Sequence, residues 1–179
     1  SINDVTLIVN NVFFNLTNSS GQQNATFTAS NPASTYWNAT INTSNFVDGV
    51  YNITIYANDT VNNLNSTIVV SRLTFDNTKP VPLYGTGTEN SGVNKSQSFV
   101  YVNVTVTETN ERNITFSLFN STSTVNSTAF TTAVRTINWT GLADGVYTYN
   151  VTVYDYVGNS NTTETRTITL DTTLPVPLF

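Results

Sequence analysis

A four-residue motif, Asp48-Gly49-Val50-Tyr51, returns 96 positions later as Asp144-Gly145-Val146-Tyr147. The match runs without a gap through Asp59 and Asp155 to Asn63 and Asn159. A second pair closes each repeat, since Asp76-Asn77-Thr78-Lys79-Pro80-Val81-Pro82-Leu83-Tyr84 corresponds to Asp171-Thr172-Thr173-Leu174-Pro175-Val176-Pro177-Leu178-Phe179 at an offset of 95. Repeats of solenoids and propeller blades span roughly 20 to 50 residues, whereas one β-sandwich takes about 100. The 179 residues therefore divide into a first domain, 1–79, a second, 80–174, and a closing segment, 175–179, that begins a further repeat.

Alternation sets the secondary structure. From Tyr147 onward, Tyr147, Tyr149, Val151 and Val153 alternate with Thr148, Asn150, Thr152 and Tyr154, and Tyr51, Ile53, Ile55 and Ala57 alternate with Asn52, Thr54, Tyr56 and Asn58. A period of two places one set in a core and the other on a wet face of a strand. In the second repeat the pattern predicts strands over 99–107, 113–119, 133–140, 147–154 and 162–170, a short extended piece at 81–84, and turn-rich segments between them. The first repeat opens with a predicted hairpin over 5–17 turning at Asn10-Asn11. No segment carries a sustained helical period, so the fold class is all-β, two tandem sandwiches.

Sixteen of the 27 asparagines begin an Asn-x-Ser/Thr triplet: Asn15, Asn18, Asn24, Asn38, Asn42, Asn52, Asn58, Asn65, Asn94, Asn103, Asn113, Asn120, Asn126, Asn138, Asn150 and Asn161. The abundance of Ser and Thr would produce about 7 or 8 such triplets by chance. Several fall inside strands, as in Asn52-Ile53-Thr54, Asn103-Val104-Thr105, Asn113-Ile114-Thr115 and Asn150-Val151-Thr152, where asparagine is otherwise disfavoured. Asn and Thr share the solvent face there, and N-linked glycans are expected on these positions. Charged residues make up 9% of the chain, far below the roughly 25 to 35% that keeps a surface soluble. A glycan coat would supply the missing hydration and hinder edge-to-edge strand pairing.

The same composition narrows the chemistry. With no histidine and no cysteine, a Ser-His-Asp triad, a thiol nucleophile and an ordinary zinc site are all excluded, and no enzyme activity is expected. Acidic residues recur at matching positions of the two repeats, Asp48 with Asp144 and Asp59 with Asp155, which favours turn chemistry over a catalytic pair. A net charge of -5 with six basic residues argues against a nucleic-acid partner. No apolar run reaches the 18 or so residues of a membrane helix, so no membrane insertion is expected in this segment. Trp37 and Trp139 could offer sugar-stacking platforms, but Asn138-Trp139-Thr140 puts its ring opposite the sequon, on the core side. Many sequons without cysteine lean toward an archaeal, or a bacterial, surface protein.

An Asp-Gly-x-Tyr turn, an alternating strand, an Asp-x-x-Gly-Asn hairpin and a closing Asp-Thr-Thr-x-Pro segment together resemble the immunoglobulin-like repeats of archaeal and bacterial cell-surface proteins. The hairpin stands as Asp155-Tyr156-Val157-Gly158-Asn159, and as Asp59-Thr60-Val61-Asn62-Asn63 with asparagine in place of glycine. The resemblance implies spacers, stalks or adhesin arms, and it implies that Tyr51 and Tyr147 form tyrosine corners. It also brings calcium into view, because related adhesin repeats stiffen their joints with Ca2+; Asp59, Asp76, Asp155 and Asp171 are the ligands it would use.

The first repeat has no counterpart of Pro80-Val81-Pro82-Leu83, whereas the segment 175–179 is a first strand with no domain after it. Val176, Leu178 and Phe179 are therefore expected to complete the first domain of a following unit, by strand donation between identical subunits or along one longer polypeptide. A head-to-tail contact that does not close on itself gives a filament. The expected function is that of a structural subunit of an extracellular, glycosylated filament or stalk. A spacer of a surface adhesin is the alternative, and an accessory domain of a glycan-processing enzyme the third.

Overall fold

The computed structural model describes residues 9–31, 36–131 and 133–177, with backbone only for Gln23 and for residues 67–71. The chain divides into two compact units, Ser1–Asn77 and Thr78–Phe179. Both are built from strands, and the described residues contain one turn of 3-10 helix, Thr43–Asn45.

The second unit is a two-sheet sandwich. One sheet has the order β10 (Thr136–Thr140), β7 (Phe99–Thr107), β5 (Val81–Tyr84). The other runs β6 (Val93–Lys95), β13 (Arg166–Leu170), β11 (Gly145–Asp155), β8 (Glu111–Asn120), β9 (Thr124–Phe130), with β12 (Ser160–Thr162) also on β11. The core holds Tyr149, Val151 and Val153 of the alternation read from the sequence, and Val100, Val102 and Val104, Ile114, Phe116 and Leu118, and Ile168 and Leu170 join them. Register keeps these residues on one face, as Val151 lies opposite Phe116 and Tyr149 opposite Leu118. Trp139 is buried among them, and its indole Nε1 donates to Asn126 Oδ1 at 3.0 Å, so this ring fills core space as expected.

Among the described residues, the first unit forms one sheet of order β2 (Gln23–Thr28), β1 (Val9–Asn18), β3 (Gly49–Asp59), β4 (Leu64–Phe75). Its core is an aromatic cluster at one end, with Tyr51 stacked on Phe75 at 4.7 Å between centroids and Phe46 packed on both at 6.0 and 5.7 Å. Leu16 lies beneath, fully buried. Farther along the same face of β3, Ile53, Ile55 and Ala57 are only half covered.

Four sequence expectations need correction. Asn10-Asn11 is not a hairpin turn: β1 runs unbroken through it, and the ladder slips between Val9–Asp59 and Asn11–Asn58 in a bulge. The Asn58 Oδ1 takes the Asn11 N–H at 3.0 Å, replacing the ladder bond that the bulge removes. Residues 5–8 of that expected hairpin lie outside the described residues. The reversal after β1 comes instead at Ser19-Ser20-Gly21, with Gly21 at φ 79. The strand expected over 162–170 is two strands, because Thr163 turns inward and its Oγ1 accepts the Val151 N–H at 3.1 Å. The strand expected from 133 starts at Thr136, and two segments read as turn-rich form β6 and β9.

Candidate functional site

Both tyrosine corners form. Tyr51 Oη donates to Val47 O at 2.8 Å and Tyr147 Oη to Ala143 O at 3.0 Å, each four residues upstream. The Asp-Gly turns ahead of them hold the exit of each unit: Asp48 Oδ1 accepts the Asn77 N–H at 2.6 Å, and Asp144 Oδ1 accepts the Thr172 N–H at 2.8 Å. Thr172 and Thr173 hydroxyls also donate to Asp144. The Thr172 N–H and hydroxyl, followed by the Thr173 hydroxyl, hold the Asp144 carboxyl below its usual range.

The four calcium candidates do not converge. Asp155 Oδ1 accepts N–H groups of Val157, Gly158 and Asn159 at 3.0, 2.7 and 2.8 Å, and its Oδ2 accepts Asn159 Nδ2 at 2.7 Å. Asp59 repeats this with Val61 and Asn63 at 2.9 Å each. Desolvation pushes the Asp59 carboxyl up, but the hydrogen bonds from Asn63 and Val61 outweigh it and hold it low. Asp171 Oδ1 accepts the Thr173 N–H at 3.0 Å. These carboxylates hold turns, and no group of three or more acidic side chains able to bind a metal ion forms among the described residues. No helix among them is long and apolar enough to cross a membrane.

The sequon asparagines are distributed over strand faces and turns, and the atom each uses is informative. At Asn18, Asn42 and Asn120 the Oδ1 accepts both the N–H and the hydroxyl of the residue two positions on. On the strands, Asn52 Oδ1 accepts the Arg72 N–H at 3.2 Å and Asn58 Oδ1 that of Asn11. An N-linked glycan attaches through Nδ2, which these bonds leave uncommitted. Asn103 differs. Its Nδ2 donates to Thr86 O at 3.0 Å, and a Cβ added at Gly85 would approach that Nδ2 to 3.0 Å. The turn 85–88 lies on β7, and one added at Gly87 would come within 3.1 Å of the Tyr101 ring. Asn150 Nδ2 meets only the exposed Thr165 hydroxyl, at 3.2 Å.

The two units differ most where β5 sits. In the second unit β5 pairs with β7 and lies against β11 and β12. Pro82 is buried, and Tyr84 Oη donates to Tyr149 O at 3.1 Å and Glu164 O at 3.0 Å. The Arg166 guanidinium sits 4.2 Å from the Tyr84 ring centroid. Its ring meets that of Tyr149 edge-on at 5.8 Å; burial, with the adjacent Tyr84, pushes the Tyr149 phenol up to about 12. In the first unit a mostly apolar hollow lined by Ile55, Ala57, Asn65 and Ser66 lies at the repeat equivalents of Val151, Val153, Asn161 and Thr162. In the second unit Val151 and Val153 share one core with Val100, Val102 and Val104 of the three-stranded sheet to which β5 belongs. Residues 174–177 join no sheet, and Leu174 and Val176 are each 83% exposed. Leu178 and Phe179 lie outside the described residues.

No protein-family model matches the sequence, and no curated protein matches it. Among solved structures, the chain is similar to an engineered protein (17% identity, TM-score 0.40, 51% of this chain and 20% of that one). It is also similar to a tetra-tandem repeat in the extending region of a large adhesion protein (21%, 0.40, 94% and 43%). A third likeness is to fibronectin(III)-like modules of Clostridium thermocellum CbhA (14%, 0.39, 53% and 100%). The chain thus spans less than half of the first two. At these TM-scores the likenesses carry no functional argument, which rests on the residues of the chain itself.

Proposed function

We propose that the chain is a structural subunit of an extracellular, N-glycosylated filament or surface stalk, whose units join head to tail through a strand of the Pro-Val-Pro-Leu-aromatic type. The observation that carries this reading is a repeated strand sequence together with a half-covered core face. Segment 175–179 repeats β5 residue for residue except for Phe179 at the place of Tyr84, and Leu174 and Val176 are exposed. In this reading the hollow over Ile55 and Ala57 is the seat that takes the donated strand.

The one sequence difference fits the seat. Tyr149, which packs edge-on against Tyr84, has Ile53 as its counterpart in the first unit. A phenylalanine would meet that isoleucine through apolar surface alone, and by the pattern of β5, where Pro82 is buried while Val81 and Leu83 are exposed, Pro177 and Phe179 would face the core with Val176 and Leu178 outward. Pro175 and Pro177 remove alternate donors and fix φ, which suits an edge strand and a stiff joint. In this reading the repeats are mechanical rather than catalytic, and glycans on the strand faces keep neighbouring filaments apart.

The test is complementation in trans. A chain ending at Thr173 should show a lowered melting midpoint in its first unit, and adding a peptide of residues 175–179 should raise that midpoint in proportion to log peptide concentration. No response to the peptide, with the full-length chain remaining monomeric, would refute strand donation. A response in a chain that never assembles beyond its own length would favour the second reading, a stalk whose consecutive repeats donate strands within one polypeptide, as Val81–Tyr84 does.

A further inference from the structure

The solvent face of the first sheet carries an aromatic pair among its Asn and Thr residues. Phe13 of β1 and Tyr56 of β3 are cross-strand partners, and their rings stack with centroids 5.1 Å apart and planes within 3°. Each ring precedes a sequon by two residues, Phe13 before Asn15 and Tyr56 before Asn58. Residues two apart on a strand share a face. Register then places Asn15, opposite Thr54, on one side of the stack and Asn58, opposite Asn11, on the other.

Both asparagines are aimed by their carbonyl oxygens. Asn58 Oδ1 accepts the Asn11 N–H at 3.0 Å and Asn15 Oδ1 accepts the Thr26 hydroxyl at 2.8 Å. Asn58 Nδ2 makes no hydrogen bond among the described residues. A groove lined by Asn11, Phe13, Thr26, Thr28 and Asn58 runs beside the ring.

The second unit supplies a contrast. Tyr101 also precedes a sequon asparagine, Asn103, by two residues. There the chain covers the ring with its own backbone, at the turn 85–88. On the first unit Phe13 and Tyr56 pack on each other, each partly exposed.

We propose that the Phe13–Tyr56 stack is a sugar-binding platform, taking the first pyranose residues of glycans linked to Asn58 and Asn15. One face of a pyranose presents C–H bonds of slight positive charge, and the face of an aromatic ring is negative. A sugar laid on the stack removes apolar ring surface from water and ties β1 to β3. The proposal rests on the glycosylation reading.

The experiment compares full-length chains made with and without the glycosylation machinery of the native host: wild type, Tyr56→Thr, and Asn58→Gln combined with Asn15→Gln. Glycosylation should raise the melting midpoint of the first unit in the wild type by ~4 °C or more, and by far less in Tyr56→Thr. Proton spectra of the glycosylated wild type should show sugar C–H resonances moved upfield by the rings, a displacement lost in Tyr56→Thr. An equal rise with and without Tyr56, or sugar resonances at their free positions, overturns the platform while leaving glycosylation standing. Bare Asn15 and Asn58 in mass spectra of native material would overturn both.

Discussion

Asn63, Asn77 and Asn159, none of which begins a sequon, commit their Nδ2 atoms to Asp59, to Thr43 and Phe46, and to Asp155 and Thr78. Sequon asparagines such as Asn18, Asn52, Asn58 and Asn120 engage Oδ1 instead. Sequence alone identified all sixteen triplets but not which amide atom each would use, because at strand positions such as Asn52 and Asn103 the partner, Arg72 or Thr86, lies far along the chain. Asn103 is the case in point: the turn from Gly85 to Thr88 claims its Nδ2. Glycopeptide mass spectrometry of native material should therefore find Asn52 and Asn150 modified and Asn103 bare; a glycan on Asn103 would contradict the clasp seen here. The depressed carboxyls give a pH prediction. Asp59 and Asp144 titrate below their unfolded value of about 3.9, so their contribution is complete above that pH and lost as pH falls through the folded values. Calorimetry should find midpoints level from neutrality to about pH 5 and falling below about pH 4, with Asp144→Asn shrinking the fall in the second unit.

At the scale of elements, strands with an aliphatic alternation were legible and polar ones were not. β7, β8 and β11 lie where the period-two pattern put them, but β9, Thr124–Phe130, is Thr- and Ser-rich and has Phe130 at its end, so nothing in its residues distinguishes it from a loop. It forms because β8 offers it an open ladder edge, with Ile114 opposite Phe130 and Ser117 opposite Ser127. The break between β12 and β13 was hidden for the opposite reason, since Asn161 through Thr169 keep an unbroken alternation-like run of threonines. Thr163 makes the break by sending its hydroxyl to the buried Val151 N–H. Thr163→Val should cost about 1 to 3 kcal/mol, the penalty of an unpaired buried N–H. Thr162→Val, at an exposed position, should cost under about 0.5 kcal/mol in the same denaturant titration.

For the whole molecule, the alternation pointed to an all-β fold, and the described residues fall into two compact β units with unequal cores. Among the described residues, the second unit has thirteen buried apolar residues in one core, the first a cluster of Leu16, Tyr51 and Phe75 with partly covered neighbours. Two thermal transitions should result, the first unit melting lower, and Phe116→Ala should remove about 3 to 5 kcal/mol from the higher one alone. The seat over Ile55 and Ala57 was not legible, since whether a face is covered depends on which strands reach it. The central claim is that this seat takes the closing segment of a neighbouring unit. Electron cryomicroscopy of native assemblies tests it most directly: a strand of the closing segment, with Pro177 and Phe179 inward as Pro82 and Tyr84 are in β5, should lie against Ile55 and Ala57 of the next first unit. The same seat filled by residues 1–8 of its own chain, with the closing segment free or folded onto its own unit, would contradict the account.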